Sequence, residues 1–310
     1  MQKINSGIGY EDLCQRFNLG SVFSIMSSNN LRGNFNRFKI KDYQVILFTL
    51  LVLGLFYVLS FLVDIYDFMG IRSWLYEHES ITVPFLWDYL FTEGGPVEIL
   101  QWLLIGLFGL AAGYLAGLLR AKERLRSSRF WFLFALLAVL MIMEDAGNVR
   151  HFLTERAVLL FYDDMLYRSI TELIYFGLIA FLPLTALIKY RYQLFRHRRT
   201  AAFLLVGCFF YAVAVGMSGT RDIGFWYQTA GGVIYDLSLE FGGEKLLALY
   251  EETDEILASM GQIEIRYRMM DYLVEESLEL LGAAFLWAAS LSFLENLTEI
   301  LKVKEDDARI

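Results

Sequence analysis

Carboxylates recur in this chain where apolar runs begin or end. The stretch Asp271-Tyr-Leu-Val-Glu275-Glu276-Ser-Leu-Glu279 leads directly into an apolar segment, and Asp271, Glu275 and Glu279 are four residues apart, on one helical face. Glu98 and Gln101 stand at the opening of another apolar run, and Glu144 with Asp145 closes a third. Glu172 precedes a fourth, and Arg221 with Asp222 follows a fifth. Acids delivered by separate helices to one layer can share protons, coordinate a metal ion or hold an organic cation.

Two constellations are sharper. In Met143-Glu144-Asp145-Ala-Gly-Asn148-Val-Arg150-His151, a continued helix would bring Glu144, Asn148 and His151 to one face at i, i+4 and i+7, offering two oxygens and a nitrogen to a metal. Gly147 weakens that continuation, and an ion pair of Glu144 or Asp145 with Arg150 or Arg168 competes with it. With three histidines in 310 residues, a His-rich metal centre is excluded, and neither His-Glu-x-x-His nor paired Glu-x-x-His occurs. No organic cofactor is expected. Ser218-Gly219-Thr220 lies near Asp222, but no Gly-x-Ser-x-Gly elbow supports a nucleophile.

The elements that must position these groups are set by composition. The chain is 56% hydrophobic and 16% aromatic, above the usual 45 to 50% apolar share of soluble domains. Six uncharged apolar runs appear: Val45 to Val63, Ile99 to Leu119, Phe130 to Met143, Leu173 to Ile188, Ala201 to Met217 and Leu280 to Leu294. They lack the two-residue alternation of barrel strands, so the expected fold is all-α, a polytopic bundle of six transmembrane helices. The first run is read as its own insertion signal, since the preceding 40 residues are polar. Pro96 after Gly94-Gly95 marks the start of the second helix, and Pro183 predicts a kink in the fourth.

Orientation follows from Lys and Arg, which favour the cytoplasmic side. The N-terminal tail, the second-to-third and fourth-to-fifth connections and the C-terminal tail carry 19 of the 27 basic residues. Both termini are therefore expected in the cytosol of a bacterial-type inner (plasma) membrane. Residues 1–43 form the N-terminal tail, 44–298 the transmembrane domain and 299–310 the C-terminal tail, with structured outer connections at 64–95, 145–171 and 218–268. The net charge of −8 excludes nucleic acid as a partner. The lipid bilayer is the expected partner, with a protein partner or self-association beside it.

Several runs look short. Fourteen residues from Phe130 to Met143 cover about 21 Å, against a hydrocarbon core of about 30 Å, so polar groups are expected inside the membrane. Lys and Arg can reach back to headgroups, whereas Asp and Glu are shorter. A charged side chain at mid-membrane costs about 2.5–3.5 kcal/mol on insertion scales, so the acids are expected to turn inward. The layer holds nine of them, Glu98, Glu144, Asp145, Glu172, Asp222, Asp271, Glu275, Glu276 and Glu279, against four arginines, Arg150, Arg168, Arg221 and Arg268. Arg168 stands four residues before Glu172, at helical pairing distance. The plainer explanation places acids such as Glu98 and Glu172 at helix N-termini, where the macrodipole favours them, but Glu144 sits at the unfavoured end.

The outer connections add two expectations. Between Gly243 and Gly261, Leu246, Leu247, Tyr250 and Leu257 share one helical face while Glu251, Glu252, Asp254 and Glu255 take the other, an amphipathic helix whose ordinary packing at the outer surface is favoured over a role as a lid on the acids or a dock for a partner. The segment from Asp64 to Gly95 is rich in aromatics and fits an interfacial belt. Together these features favour a transport or ion-coupling protein for protons or a cation, using an outward-facing site built from Glu98, Gln101, Glu144, Asp145, Arg168, Glu172, Arg221, Glu275, Glu276 and Glu279. The rivals are a non-catalytic subunit or sensor braced by internally satisfied acids, and an outer-leaflet enzyme, metal-assisted at Glu144, Asn148 and His151.

Overall fold

Six apolar segments without room for a polar face have to become helices that share one another's surfaces, and they do. The computed structural model describes residues 40–78, 83–147 and 165–307, with four more positions at 149, 152, 153 and 156. All contacts discussed below lie within Lys41–Ile310. Among the described residues there is no strand, and six segments are long and apolar enough to cross a membrane: Asp42–Ile65, Leu86–Ala121, Leu125–Asp145, Ile170–Lys189, Arg198–Thr220 and Ile265–Thr298.

Span one is α1 (Asp42–Ser60), continued by a π-helical turn at Phe61–Ile65. After α2 (Ile71–His78), span two is built from α3 (Leu86–Phe91) and α4 (Pro96–Ala121). Span three is α5 (Leu125–Asp145), and span four makes up most of α6 (Met165–Lys189). A short α7 (Arg191–Phe195) leads to span five, α8 (Arg198–Thr220). The long α9 (Trp226–Ser259) precedes span six, which comprises α10 (Ile265–Arg268), a π-helical stretch Met269–Glu275 and the first part of α11 (Glu276–Asp307).

The helices outrun the apolar runs that seeded them. α5 has 21 residues, about 31 Å at 1.5 Å per residue, against the fourteen of its uncharged core. Its ends carry Arg126 and Arg129 on one side and Glu144 and Asp145 on the other, so the helix is long enough and its charges sit at its ends. α6 runs unbroken through Pro183. At the start of α4, Pro96 is the first helical residue after the Gly95 cap, as its missing N–H predicts.

α11 is the centre of the bundle, packing against α1, α4 and α8, and span six is the most buried of the six. Its inner positions are small: Ala283, Ala284, Ala288, Ala289 and Ser290 are fully buried. Small residues let helix backbones approach where lipid supplies no hydrophobic drive for association. The closest approach is to α8, where a Cβ on Gly282 would lie 2.6 Å from the Tyr211 ring and one on Gly207 2.9 Å from Leu286. The outer sides of α1, α5, α6 and α8 carry exposed Leu51, Leu55, Phe132, Leu178, Phe181 and Phe209, as lipid contact requires.

At one end of the bundle Arg199 of span five reaches the buried Asp42 of span one at 2.5 Å. The other end is closed by chain that loops back. Asp64 accepts the amide N–H groups of Leu86 at 2.6 Å and Trp87 at 3.0 Å, satisfying donors at the start of α3 that have no partner within the helix. α9 bends at Gly243, whose φ of 61° lies in the left-handed region. Its second half is the amphipathic helix expected from the sequence, with Leu246, Tyr250 and Leu257 buried and Glu251, Glu252 and Glu255 exposed. Asp254 departs from that division: it is half-buried and accepts the Ile265 amide at 2.8 Å, fastening α9 to α10.

The α8–α11 contact generates the first prediction. Gly282→Leu forces a branched side chain into the Tyr211 ring and should cost about 1–3 kcal/mol. Thermal unfolding of the purified protein in detergent should show a lowered midpoint, whereas Gly117→Leu, where an added Cβ meets open space, should leave it near wild type.

Candidate functional site

The start of α4 sets the first half of the site. Glu98, Gln101 and Ile105 follow the helical i, i+3, i+7 spacing and all point inward, with Gln101 completely buried. Glu98 accepts the Gly94 amide just before the helix begins. Gln101 spends both amide hydrogens on acids from other spans: its Nε2 donates to Asp145 Oδ2 at 2.9 Å and to Glu279 Oε2 at 2.7 Å. One neutral side chain thus joins spans two, three and six. Its Oε1 has no hydrogen-bond partner among the described residues.

Span six supplies the second half. Its π-helical stretch carries Asp271 and Glu275, and π turns hold one residue more than α turns and gather at functional sites. Tyr57 of span one holds this stretch, its hydroxyl 2.7 Å from the Leu273 carbonyl and 2.8 Å from Ser277 Oγ. Tyr227, near the start of α9, is fully buried and places its hydroxyl 3.0 Å from Asp271 Oδ1 and 2.7 Å from Glu275 Oε2. Burial, then the two carboxylates, push the phenol far above its ordinary range, so it stays a donor. Gly231 makes this docking of α9 close, since a Cβ there would stand 1.8 Å from the Arg266 carbonyl oxygen.

Arg221 ties span six to span four. It is buried, with Nη1 3.4 Å from Asp271 Oδ1 and Nη2 3.8 Å from Glu172 Oε1. Burial alone would favour its neutral form, but Asp271, Tyr267, Glu172 and Glu275 outweigh that and hold the guanidinium charged.

Beside these groups lies a cavity of about 420 Å³. Span six contributes Asp271, Glu275, Glu276 and Glu279 to its wall, span three Glu144 and Asp145, and the approach to α4 Glu93 and Glu98. Arg221 is the one basic group among the described lining residues. One Glu276 oxygen is buried without a hydrogen-bond partner among the described residues. Tyr211 of span five also lines the cavity; it is 9% exposed, and its hydroxyl approaches Gln101 without reaching hydrogen-bond geometry.

The expected residues fall into distinct groups. Glu98, Glu144, Asp145, Arg221, Glu275, Glu276 and Glu279 meet at the cavity, and Gln101 stands behind Asp145 and Glu279. Glu172 is buried beside Arg221 and outside the described cavity lining. Arg268 turns instead to Asp88, at 3.1 Å. The Arg168 side chain, Asn148, Arg150 and His151 lie outside the described residues, and α5 ends at Asp145 ahead of Gly147. Among the described residues no group of three or more His, Cys, Asp or Glu is arranged to hold a metal ion, and no histidine lines the cavity beside Ser218. Tyr227, Tyr211 and Glu93 were not anticipated. Tyrosine inside or beside an apolar run was the available signal, because a buried hydroxyl usually finds a polar partner.

Comparison of the chain with protein-family models, with curated proteins and with solved structures finds no match in any of the three. The site is therefore argued from its own chemistry.

Gln101 and Tyr227 supply donors from two different elements, and each should be felt in stability. Gln101→Leu and Tyr227→Phe keep shape while removing one buried donor each from the carboxylates they serve, which costs about 1–3 kcal/mol. Lowered unfolding midpoints for both variants are expected; an unchanged midpoint for Tyr227→Phe would show that its hydroxyl does not serve Asp271 and Glu275.

Proposed function

We propose that this chain is a multi-pass protein of a bacterial-type inner membrane that binds a proton or another cation at an acidic intramembrane cavity and couples that binding to transport. The observation that carries the reading is the cavity wall, where eight carboxylates from spans two, three and six meet one arginine among the described residues. Ionisable groups at membrane depth mark ion and substrate pathways more often than scaffolding. The excess of Lys and Arg in alternate connections supports cytoplasmic termini, which would open the acidic end to the outside.

A second reading has its own support. Gln101 donates to two acids and Tyr227 places its one hydroxyl between two more, as in an internal brace, and a brace would suit a non-catalytic subunit or sensor of a membrane complex.

A charge-displacement measurement separates the two. Vesicles carrying the purified protein, adsorbed on a solid-supported membrane, are given a proton jump and then a sodium jump. The transport reading expects a transient current for at least one of them. Glu275→Gln should reduce it at least about tenfold, equivalent to 1.4 kcal/mol, while Glu251→Gln, on the exposed face of α9, leaves it intact. Silence to both jumps in a stably folded protein would favour the brace.

A further inference from the structure

The acidic groups occupy one part of the cavity, and the remainder is hydrocarbon. Met141 of span three, Phe176 and Leu184 of span four, and Leu205, Phe209 and Val215 of span five line it, and exposed Leu184, Leu205 and Phe209 place this part where the cavity opens toward lipid. A proton or a small metal ion has no use for such a wall, since its interactions end at oxygen. The volume, about 420 Å³, falls in the range of roughly 300–1,000 Å³ typical of small-molecule sites, which are mainly apolar with a few placed polar groups.

On the cavity wall Tyr211 presents a buried hydroxyl that approaches Gln101 without completing a hydrogen bond among the described residues. Buried polar groups are ordinarily satisfied, so a hydroxyl held short of its neighbour on a cavity wall leaves a place for a ligand or water. Phe176 and Phe209 add ring faces, which attract cations as well as apolar surface. The charge balance selects the sign of the occupant. Among the described lining residues, one arginine amid eight carboxylates disfavours a phosphate or carboxylate head and favours a positive one.

The geometry points to a hydrophobic organic cation as the occupant, its charge against Glu275, Glu276 and Asp145 and its apolar body between spans three, four and five. This inference rests on the acidic end being a cation site, as proposed above, and adds the class of cation.

Equilibrium binding of tritiated tetraphenylphosphonium to the purified full chain in detergent tests it. Two competitors divide the ligand's features: tetramethylammonium has the charge without the body, and triphenylphosphine oxide the body without the charge. Saturable binding near one per chain is expected, at least tenfold tighter than either competitor. Val215→Trp, which fills the apolar part, should shrink the preference for tetraphenylphosphonium over tetramethylammonium at least tenfold. Phe209→Ala, which removes a ring without adding bulk, should shrink it in the same direction should the Trp variant fold poorly. Glu275→Gln should weaken both cations.

Equal affinity for the two cations, or a preference untouched by both cavity variants, would overturn the inference while leaving the acidic site standing. Displacement by triphenylphosphine oxide at equal potency would make the apolar part a slot for neutral lipid and would also overturn it. If neither cation binds and Glu275→Gln changes nothing, the cation site itself is lost with it.

Discussion

An acid-rich helix can occupy the middle of a membrane bundle only when its neighbours bring donors to it, and span six sets that demand for the whole structure. Below Glu279 it is made of small residues that invite close packing, so α1, α4 and α8 gather around it. Above, the same helix carries Asp271, Glu275, Glu276 and Glu279 into the same neighbours. The packing that makes span six central therefore fixes which side chains can answer its acids. Gln101 is available because α4 packs on α11, and Tyr57 because α1 does. Tyr227 arrives only because the chain beyond span five folds back and lays α9 on α10.

The six spans were legible because a run of apolar residues long enough to cross a bilayer has no competing use, and the structure returns all six. The acidic layer was legible for a related reason: short acids at the ends of several runs must share a depth. Seven of the residues singled out for the site meet at one cavity, and the Gly94-Gly95-Pro96 helix start stands where it was expected. Donor identity was harder to read. Arg268 stands three residues from Asp271 in sequence yet serves Asp88 of span two, a partner 180 positions away that no local spacing announces. The π-helical stretch at Met269–Glu275, to which Tyr57 and Tyr227 donate, was likewise not legible, since nothing in the residues from Met269 to Glu275 forbids a regular α-helix.

α9 carries a local pattern that is legible in one half only. Its second half reads from sequence as an amphipathic helix, with ordinary packing at the outer surface favoured over a cover for the acids or a partner's dock. That half packs against the aromatic segment before α3, Tyr250 meeting Phe85 at 5.0 Å. The half that reaches the acids, ahead of Gly243, is rich in glycine, and its hydrophobic pattern is diluted. There the absence of side chains is the signal, because Gly231 is what allows α9 to approach the Arg266 backbone and seat Tyr227 against Tyr267, 4.7 Å between rings.

Brace and binding site are compatible descriptions of these residues once donors are counted by kind. Gln101 and Tyr227 are neutral: they can orient Asp145, Glu279, Asp271 and Glu275, but they remove no charge. Tyr227 has a single hydroxyl hydrogen between two carboxylates and can serve one at a time. Arg221 brings one positive charge and spreads it between Asp271 and Glu172. Orientation is thus supplied among the described groups by neutral donors, with Arg221 the one positive charge among the described lining residues. On the proposed reading of the cavity as a cation site, the occupant adds positive charge to such a wall, and the hydrocarbon beside it sets what else that occupant carries.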